Sequence, residues 1–320
     1  MKEAIQNFPK QFAWAPKIEN EDLLHQYSKF VVAGMGGSSL GADLLKVWNP
    51  LLDLVIHRDY GLPEIAEADL SRTLVIASSY SGNTEETLSA METATEFGLA
   101  VAVVAAGGKL LAKAKELGLP YVELPADGIQ PRMATGFSIK AILALLGMDE
   151  ALKEIAAVAK LNTKPSEVAG KKLAEKLVGK VPVIYTSRVN MPVAYNWKIK
   201  FNETAKIPAF ANRFPELNHN EMTGFDCAPK AKPIAENFHF IFLRDSEDHP
   251  RIGKRMAVTA KLYRDRGFGV EEIEMTGGNV WEKIFSSTLL ADWTAFYLAE
   301  AYGADPENVP MVEELKKLIS

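Results

Sequence analysis

Two loops in the first half of the chain carry residue types suited to holding an anion. The first is Gly34-Met35-Gly36-Gly37-Ser38-Ser39. Glycines let a backbone approach a ligand, and a helix opening after them offers free N–H groups and the positive end of its dipole. A dinucleotide fingerprint wants a third glycine where Ser39 stands, although Asp59 lies about where a ribose-binding acid would sit. A nicotinamide site, an anion site and a plain serine-capped turn all remain open for this loop. The second is Ser78-Ser79-Tyr80-Ser81-Gly82-Asn83-Thr84-Glu85-Glu86. One hydroxyl, Thr84 or Ser81, is expected to cap the following helix, worth about 1 kcal/mol. The others exceed what capping needs. Hydroxyls and backbone N–H groups hold a phosphate without any lysine.

Three further segments are candidates only in company with such a loop. Pro131-Arg132 precedes a helix. An isolated arginine is ordinarily solvated, but beside an anion site it can stabilise developing negative charge. Asn202-Glu203-Thr204-Ala205-Lys206 and Glu216-Leu217-Asn218-His219-Asn220-Glu221 both lie in a polar stretch. Taken alone, the glutamate reads as solvated and the lone histidine as structural.

The elements that must position these residues alternate. Strand-like apolar runs stand at 29–33, 52–57, 73–78, 99–105 and 121–124, with helical patterns at 38–47, 83–97 and 109–117. Short apolar strands separated by helices indicate a parallel sheet covered on both faces. Helices at 134–146 and 150–160 follow. The polar run 161–167 (LNTKPSE), with Pro165, is the expected boundary. Beyond it the theme repeats: strands at 181–186, 238–243 and 270–275, and helices at 171–178, 193–200, 252–266, 280–302 and 309–319. The expectation is an α/β protein of two domains, 1–160 and 161–320, each a parallel sheet flanked by helices.

Composition narrows the class. The 320 residues are 48% hydrophobic and 24% charged, with a net charge of −5. That is a globular balance with no broad basic field, so neither nucleic acid nor an anionic membrane is expected as partner. The sole cysteine, Cys227, excludes an intrachain disulfide and a cysteine-built zinc site. None of the five histidines stands at the spacing of a histidine metal pair. No signal peptide or membrane span is evident, and a cytoplasmic protein is expected. Cys227 and the five tryptophans are read as structure.

A strand leading into S-x-S-G-x-T at a helix start, with a G-x-G-G-S loop earlier, resembles the sugar isomerase (SIS) domain. The resemblance implies that Gly36, Gly37 and Ser38 line a sugar phosphate and that Ser79, Ser81 and Thr84 hold it. With the N-E-x-x-K and L-N-H-N-E segments and the ending Val309-Pro310-Met311-Val312-Glu313-Glu314-Leu315-Lys316, the chain is similar to the bifunctional phosphoglucose/phosphomannose isomerase family. The similarity runs from Gly34 to the final helix. Thr204 departs from it, since asparagine is expected there more often; Glu203 is untouched.

This resemblance implies two SIS domains, a homodimer in which His219 reaches the partner's active site, and Lys316 entering the site. It implies no cofactor, a place in glycolysis and gluconeogenesis, and metal-free aldose–ketose isomerisation of hexose 6-phosphates. An isomerase of this kind moves a proton between C1 and C2 through a cis-enediol, for which one partly desolvated carboxylate suffices. Glu203 is assigned as that base. His219, assisted by Lys316, is assigned to ring opening, and Arg132 to the enediolate charge. Other readings are a sugar-phosphate sensor, the isomerase half of a glucosamine-6-phosphate synthase, and phosphoheptose isomerisation. The first 28 residues are too few for a helix-turn-helix domain, and the only cysteine, at 227, is not an N-terminal nucleophile.

Overall fold

The computed structural model describes residues 1–319. The chain separates into two compact units. One is Gln6–Leu161; the other joins Met1–Ile5 to the chain from Asn162 onward. Helix α1 (Lys2–Asn7) opens the chain.

The first unit runs β1 (Ile18–Glu19), β2 (Lys29–Ala33), α2 (Leu40–Trp48), β3 (Leu54–His57), β4 (Thr73–Ser78), α3 (Glu85–Glu96), β5 (Ala100–Ala105), α4 (Gly108–Glu116), β6 (Tyr121–Glu123), α5 (Thr135–Leu145) and α6 (Asp149–Ile155). Its sheet has the order β1-β6-β5-β4-β2-β3, parallel throughout except for the antiparallel pair β1–β6. β4 is buried along its whole length, and β5 at every residue but its first. This is why both read as unbroken apolar runs rather than alternating ones. Val31, Val75 and Val103 pack on Met91, Leu110 and Leu111 from the covering helices. The helix expected over 150–160 is two pieces, α6 and a 3₁₀ turn, Ala156–Lys160.

The second unit runs α7 (Lys164–Leu177), β7 (Val181–Thr186), α8 (Met191–Lys200), β8 (Phe210–Arg213), α9 (Lys232–Ala235), β9 (Phe238–Arg244), α10 (Pro250–Asp265), β10 (Gly269–Glu274), α11 (Val280–Tyr302) and α12 (Pro310–Ile319). Its four strands are parallel in the order β10-β9-β7-β8. α7 starts earlier than the pattern from 171 suggests. Pro165 lies in its first turn, where a missing N–H removes no helical bond, so this proline opens a helix.

The polar stretch after α8 also holds more structure than its composition predicts. It contains a π-helical turn (Phe201–Ala205), the edge strand β8, and 3₁₀ turns at Glu216–His219 and Glu221–Phe225. β8 has no buried residue, so it carries no apolar alternation to read. One side of the sheet is an aromatic cluster of Tyr185, Phe214, Phe240, Phe242, Tyr263 and Phe268, with Phe240 and Tyr263 centroids 4.3 Å apart. Such pairs add about 0.5–1.5 kcal/mol each beyond area burial. Among the described residues no helix is long and apolar enough to cross a membrane.

Candidate active site

In the first sheet the chain passes from β2 to β3 on one side, then to β4 on the other. Connections diverge at that point, and open parallel sheets bind ligands outside the carboxyl ends of such strands. The two glycine- and serine-rich loops are the segments that leave β2 and β4 there.

Backbone contact holds these loops together. A Cβ on Gly34 would stand 2.7 Å from the Ser78 carbonyl oxygen, so glycine is what lets the first loop pass β4. The Ser38 hydroxyl accepts the Tyr80 amide at 2.9 Å, and Ser78 Oγ donates to the Ser38 carbonyl at 3.2 Å. Ser39 Oγ donates to the Gly36 carbonyl and accepts from Arg58 Nε, each at 3.0 Å. Arg58 is in turn paired with Asp43. Burial pushes the Asp43 carboxyl up, against the opposing pull of Arg58.

The second loop folds on a tight glycine nest. Gly82 has φ 68°, and a Cβ there would meet the Gly107 carbonyl oxygen at 1.8 Å. Gly108, also at positive φ, lies similarly close to the Ser81 carbonyl. Ser79 is 1% exposed; its Oγ lies 2.9 Å from Thr84 Oγ1 and accepts the Gly82 amide at 3.1 Å. Ser81 is exposed at the tip and accepts the Asn83 amide at 3.3 Å. The expected hydroxyl cap of the following helix is absent. Thr84 is the N-cap residue of α3 but makes no side-chain cap bond, and Ser81 makes none either. Thr84 turns to Ser79 instead, so no N-cap side chain covers the leading N–H groups of α3. A helix end in that state has N–H groups that can take an anion.

Arg132 is drawn into the same place. A Cβ on Gly37 would lie 2.5 Å from the Arg132 amide nitrogen and 2.6 Å from the Pro131 carbonyl carbon. Gly36 itself has φ 49°, which its type tolerates. The 3₁₀ turn Pro131–Met133 thus rests directly on the glycine loop. Arg132 is 1% exposed and not the solvated surface arginine that an isolated one usually is. Gly36, Gly37, Ser38, Ser79, Thr84 and Arg132 are therefore gathered at one end of one sheet, with Ser81 at the rim.

In the second unit, Glu203 is half-buried on the π turn that continues α8. π turns inside or after α-helices recur at functional positions. This one is anchored through the helix that leads into it. Lys200 and Asp292 form a buried ion pair at 2.8 Å, and Trp197 Nε1 donates to Ser287 Oγ at 3.0 Å, tying α8 to α11. Thr204, the departure noted in the sequence, is buried. Lys206 Nζ donates to the Glu203 carbonyl.

His219 is exposed at the end of its 3₁₀ turn, and its ring makes no hydrogen bond among the described residues. Glu203 comes before the start of β8 and His219 after its end. Glu203 and His219 are thus on separate turns joined by β8. Lys316 lies on α12, exposed, and donates to Glu313 at 2.7 Å.

The second sheet has its own point of divergence, between β7 and β9. Lys283 stands there, 2.9 Å from both Asp245 Oδ1 and Glu247 Oε2. Asn190 Nδ2 donates to Asp245 Oδ2 at 3.1 Å. Burial raises the Asp245 carboxyl, but bonds from Lys283, the Glu247 amide and Asn190 outweigh it and hold it below its usual range. Asp248, mainly through burial, is pushed up. None of this cluster stood out in the sequence, because its members come from separate elements and loops. A cavity of about 470 Å³, lined by Glu221, Phe225, Cys227, Ile234 and Phe238 among others, lies beside the His219 segment.

Comparison with known proteins gives the family. Residues 167–319 match the bacterial phospho-glucose isomerase C-terminal SIS domain. A bifunctional phosphoglucose/phosphomannose isomerase of Caldicellulosiruptor bescii is 36% identical, over 100% of this chain and 99% of its own. One from Aquifex aeolicus is 34% identical, over 98% of this chain and 96% of its own. Among solved structures, a hypothetical protein of Thermus thermophilus aligns with a TM-score of 0.72 at 16% identity, covering 99% of this chain and 87% of that one, which speaks to fold alone. The SIS architecture is thus the fold of this chain, and the chain belongs to the bifunctional phosphoglucose/phosphomannose isomerase family.

Proposed function

We infer that this protein is an aldose–ketose isomerase that interconverts glucose 6-phosphate and mannose 6-phosphate with fructose 6-phosphate. The observation that carries the reading is the uncapped start of α3 beside Ser38, Ser79 and Thr84, in a chain alike over its whole length to isomerases of these sugars. The phosphate sits against those hydroxyls, with Gly36, Gly37 and Ser81 completing the cradle. Binding energy from that remote end fixes C1 and C2 for reaction.

Glu203 is the base. It takes the proton from C2 of the opened aldose and returns it to C1 through a cis-enediol, a transfer that one carboxylate completes without a metal. Arg132 stabilises the enediolate charge. Ring opening needs a proton delivered to the ring oxygen and another removed from the anomeric hydroxyl. His219, assisted by Lys316, does this. The exposure of the His219 ring supports a homodimer in which His219 serves the partner's site. Mannose 6-phosphate reaches the same enediol after rotation about C2–C3. In this reading residues 1–160 and 161–320 are the two SIS domains, and the protein works in the cytoplasm in glycolysis and gluconeogenesis.

The test is a coupled assay on the three sugar phosphates with EDTA present, for the wild type and Glu203→Gln. Activity that survives the chelator and falls at least about 10³-fold in the variant is expected. Tight sugar-phosphate binding with no turnover in the wild type would point instead to a sensor. Rates on glucose and mannose phosphates differing by more than about a hundredfold, roughly 2.7 kcal/mol, would make the enzyme monofunctional in effect.

A further inference from the structure

His219 is exposed, yet the residues around it are not loosely held. Leu217 is fully buried in the aromatic cluster of the second unit. Asn218 Nδ2 donates to Thr259 Oγ1 of α10 at 2.9 Å, and Asn218 Oδ1 accepts Arg255 Nη1 at 3.3 Å. Asn220 Nδ2 donates to Glu216 Oε1 at 2.8 Å, and Asn220 Oδ1 accepts the Glu221 amide.

The firmest tie is Glu221. Its two carboxylate oxygens point to different strands: Oε1 accepts the Tyr185 hydroxyl of β7 at 2.5 Å, and Oε2 accepts Asn212 Nδ2 of β8. A glutamate at the start of a short helical turn would ordinarily face water. This one gives both oxygens to donors from the sheet, and one of those donors, Tyr185, is fully buried. Burial, reinforced by Tyr263 and Glu221 itself, holds the Tyr185 phenol far above its usual pKa, so it stays a donor throughout the working range of pH.

We propose that Glu221 is a positioning residue for ring opening: its carboxylate, clamped by Tyr185 and Asn212, fixes the segment that carries His219. This rests on the reading of His219 as the ring-opening group. A histidine that must meet a sugar held elsewhere has nothing of its own to fix its place. Its backbone supplies that, between the Asn218 anchor on α10 and the Glu221 anchor on the sheet. A displacement of about 1 Å at a reacting group can cost on the order of 10²-fold.

A double-mutant cycle on the full-length enzyme tests this. Glu221→Ala is expected to lower kcat on glucose 6-phosphate by about 10- to 100-fold with KM nearly unchanged. Glu221→Gln, which can still accept from Asn212 and donate to the Tyr185 oxygen, is expected to recover most of that loss. His219→Ala alone should be slow, and adding Glu221→Ala to it should cost nothing more, because Glu221 acts only through His219. A purely structural role would lower activity as much in the His219→Ala background as in the wild type, and that additivity would overturn the proposal. So would a Glu221→Ala enzyme with full activity. If His219→Ala itself turns over like the wild type, the ring-opening reading fails first, and this proposal with it. Should Glu221→Ala melt early, Tyr185→Phe enters the same cycle, since it keeps the ring and removes only the donor.

Discussion

The two sheets of this chain diverge in the same way, and their carboxyl ends carry opposite chemistry. At the first, between β2 and β4, the residues are glycines and neutral hydroxyls, and the start of α3 has no side-chain cap. At the second, between β7 and β9, Asp245 and Glu247 share the ammonium of Lys283, with Asp248 in the same loop. Of the two helices that start there, α10 is capped, His249 Nδ1 accepting the Arg251 amide at 3.1 Å, while α8 has no side-chain cap. One end keeps donors open for an anion. The other presents surplus carboxylate. Topology supplies the place for a site, but the loop residues decide whether a phosphate can use it.

That contrast can be broken at either end. The largest effect is expected at the second. Lys283→Met leaves the buried Asp245 side chain without its cation, whereas Glu247 stays in water, and removing one partner of a buried pair costs about 3–5 kcal/mol. Denaturant unfolding should register that loss while KM for sugar phosphates stays put. A raised KM in folded Lys283→Met enzyme would mean the second divergence point does bind substrate.

The first end is tested by Ser79→Ala. A hydrogen bond to a charged group is worth about 1.5–3 kcal/mol, so KM should rise about 10- to 100-fold with kcat little changed. An unaltered KM would remove Ser79 from the phosphate cradle.

The smallest effect is a pH dependence confined to the second unit. His239 is buried on β9, its ring lying over Gly269, where a Cβ would meet it at 2.4 Å. Burial holds its pKa below the usual value, outweighing the upward pull of Glu271. The unfolded chain therefore takes up this proton first as pH falls. Its contribution is fully present above about pH 6.5 and is lost below that, until the folded ring also titrates. Neither histidine of the first unit, His25 or His57, is buried. Unfolding midpoints measured from about pH 8 to 5.5 should fall, and His239→Gln should flatten the slope; an equal slope in the variant would assign it elsewhere.

How legible each region was follows from the same physics. Strands β2, β4 and β5 could be read directly, because burial on both faces demands unbroken apolar runs. The glycine- and serine-rich loops could be placed at the strand ends, because glycine and serine favour turns. β8 could not, since an exposed edge strand has no buried face to pattern it. The fate of Thr84 was hidden as well. Local rules make it a cap, and only the folded loop brings Ser79 within reach. Glu221 was visible as a letter beside His219, but its meaning depends on Tyr185, 36 positions away. The Lys283 cluster is hidden for the same reason, since Asp245 lies 38 positions from it.

The nest of Gly82, Gly107 and Gly108 has a consequence for how this chain can vary. With a carbonyl where a side chain at 82 would begin, the β4–α3 and β5–α4 connections are two halves of one hinge-free joint. Neither can drift alone: a methyl added at Gly108 would press on Ser81 and Gly82, and one at Gly82 on Gly107. The turn after β5 is in this sense a buttress of the turn after β4, and a change that reshapes one connection has to be matched in the other.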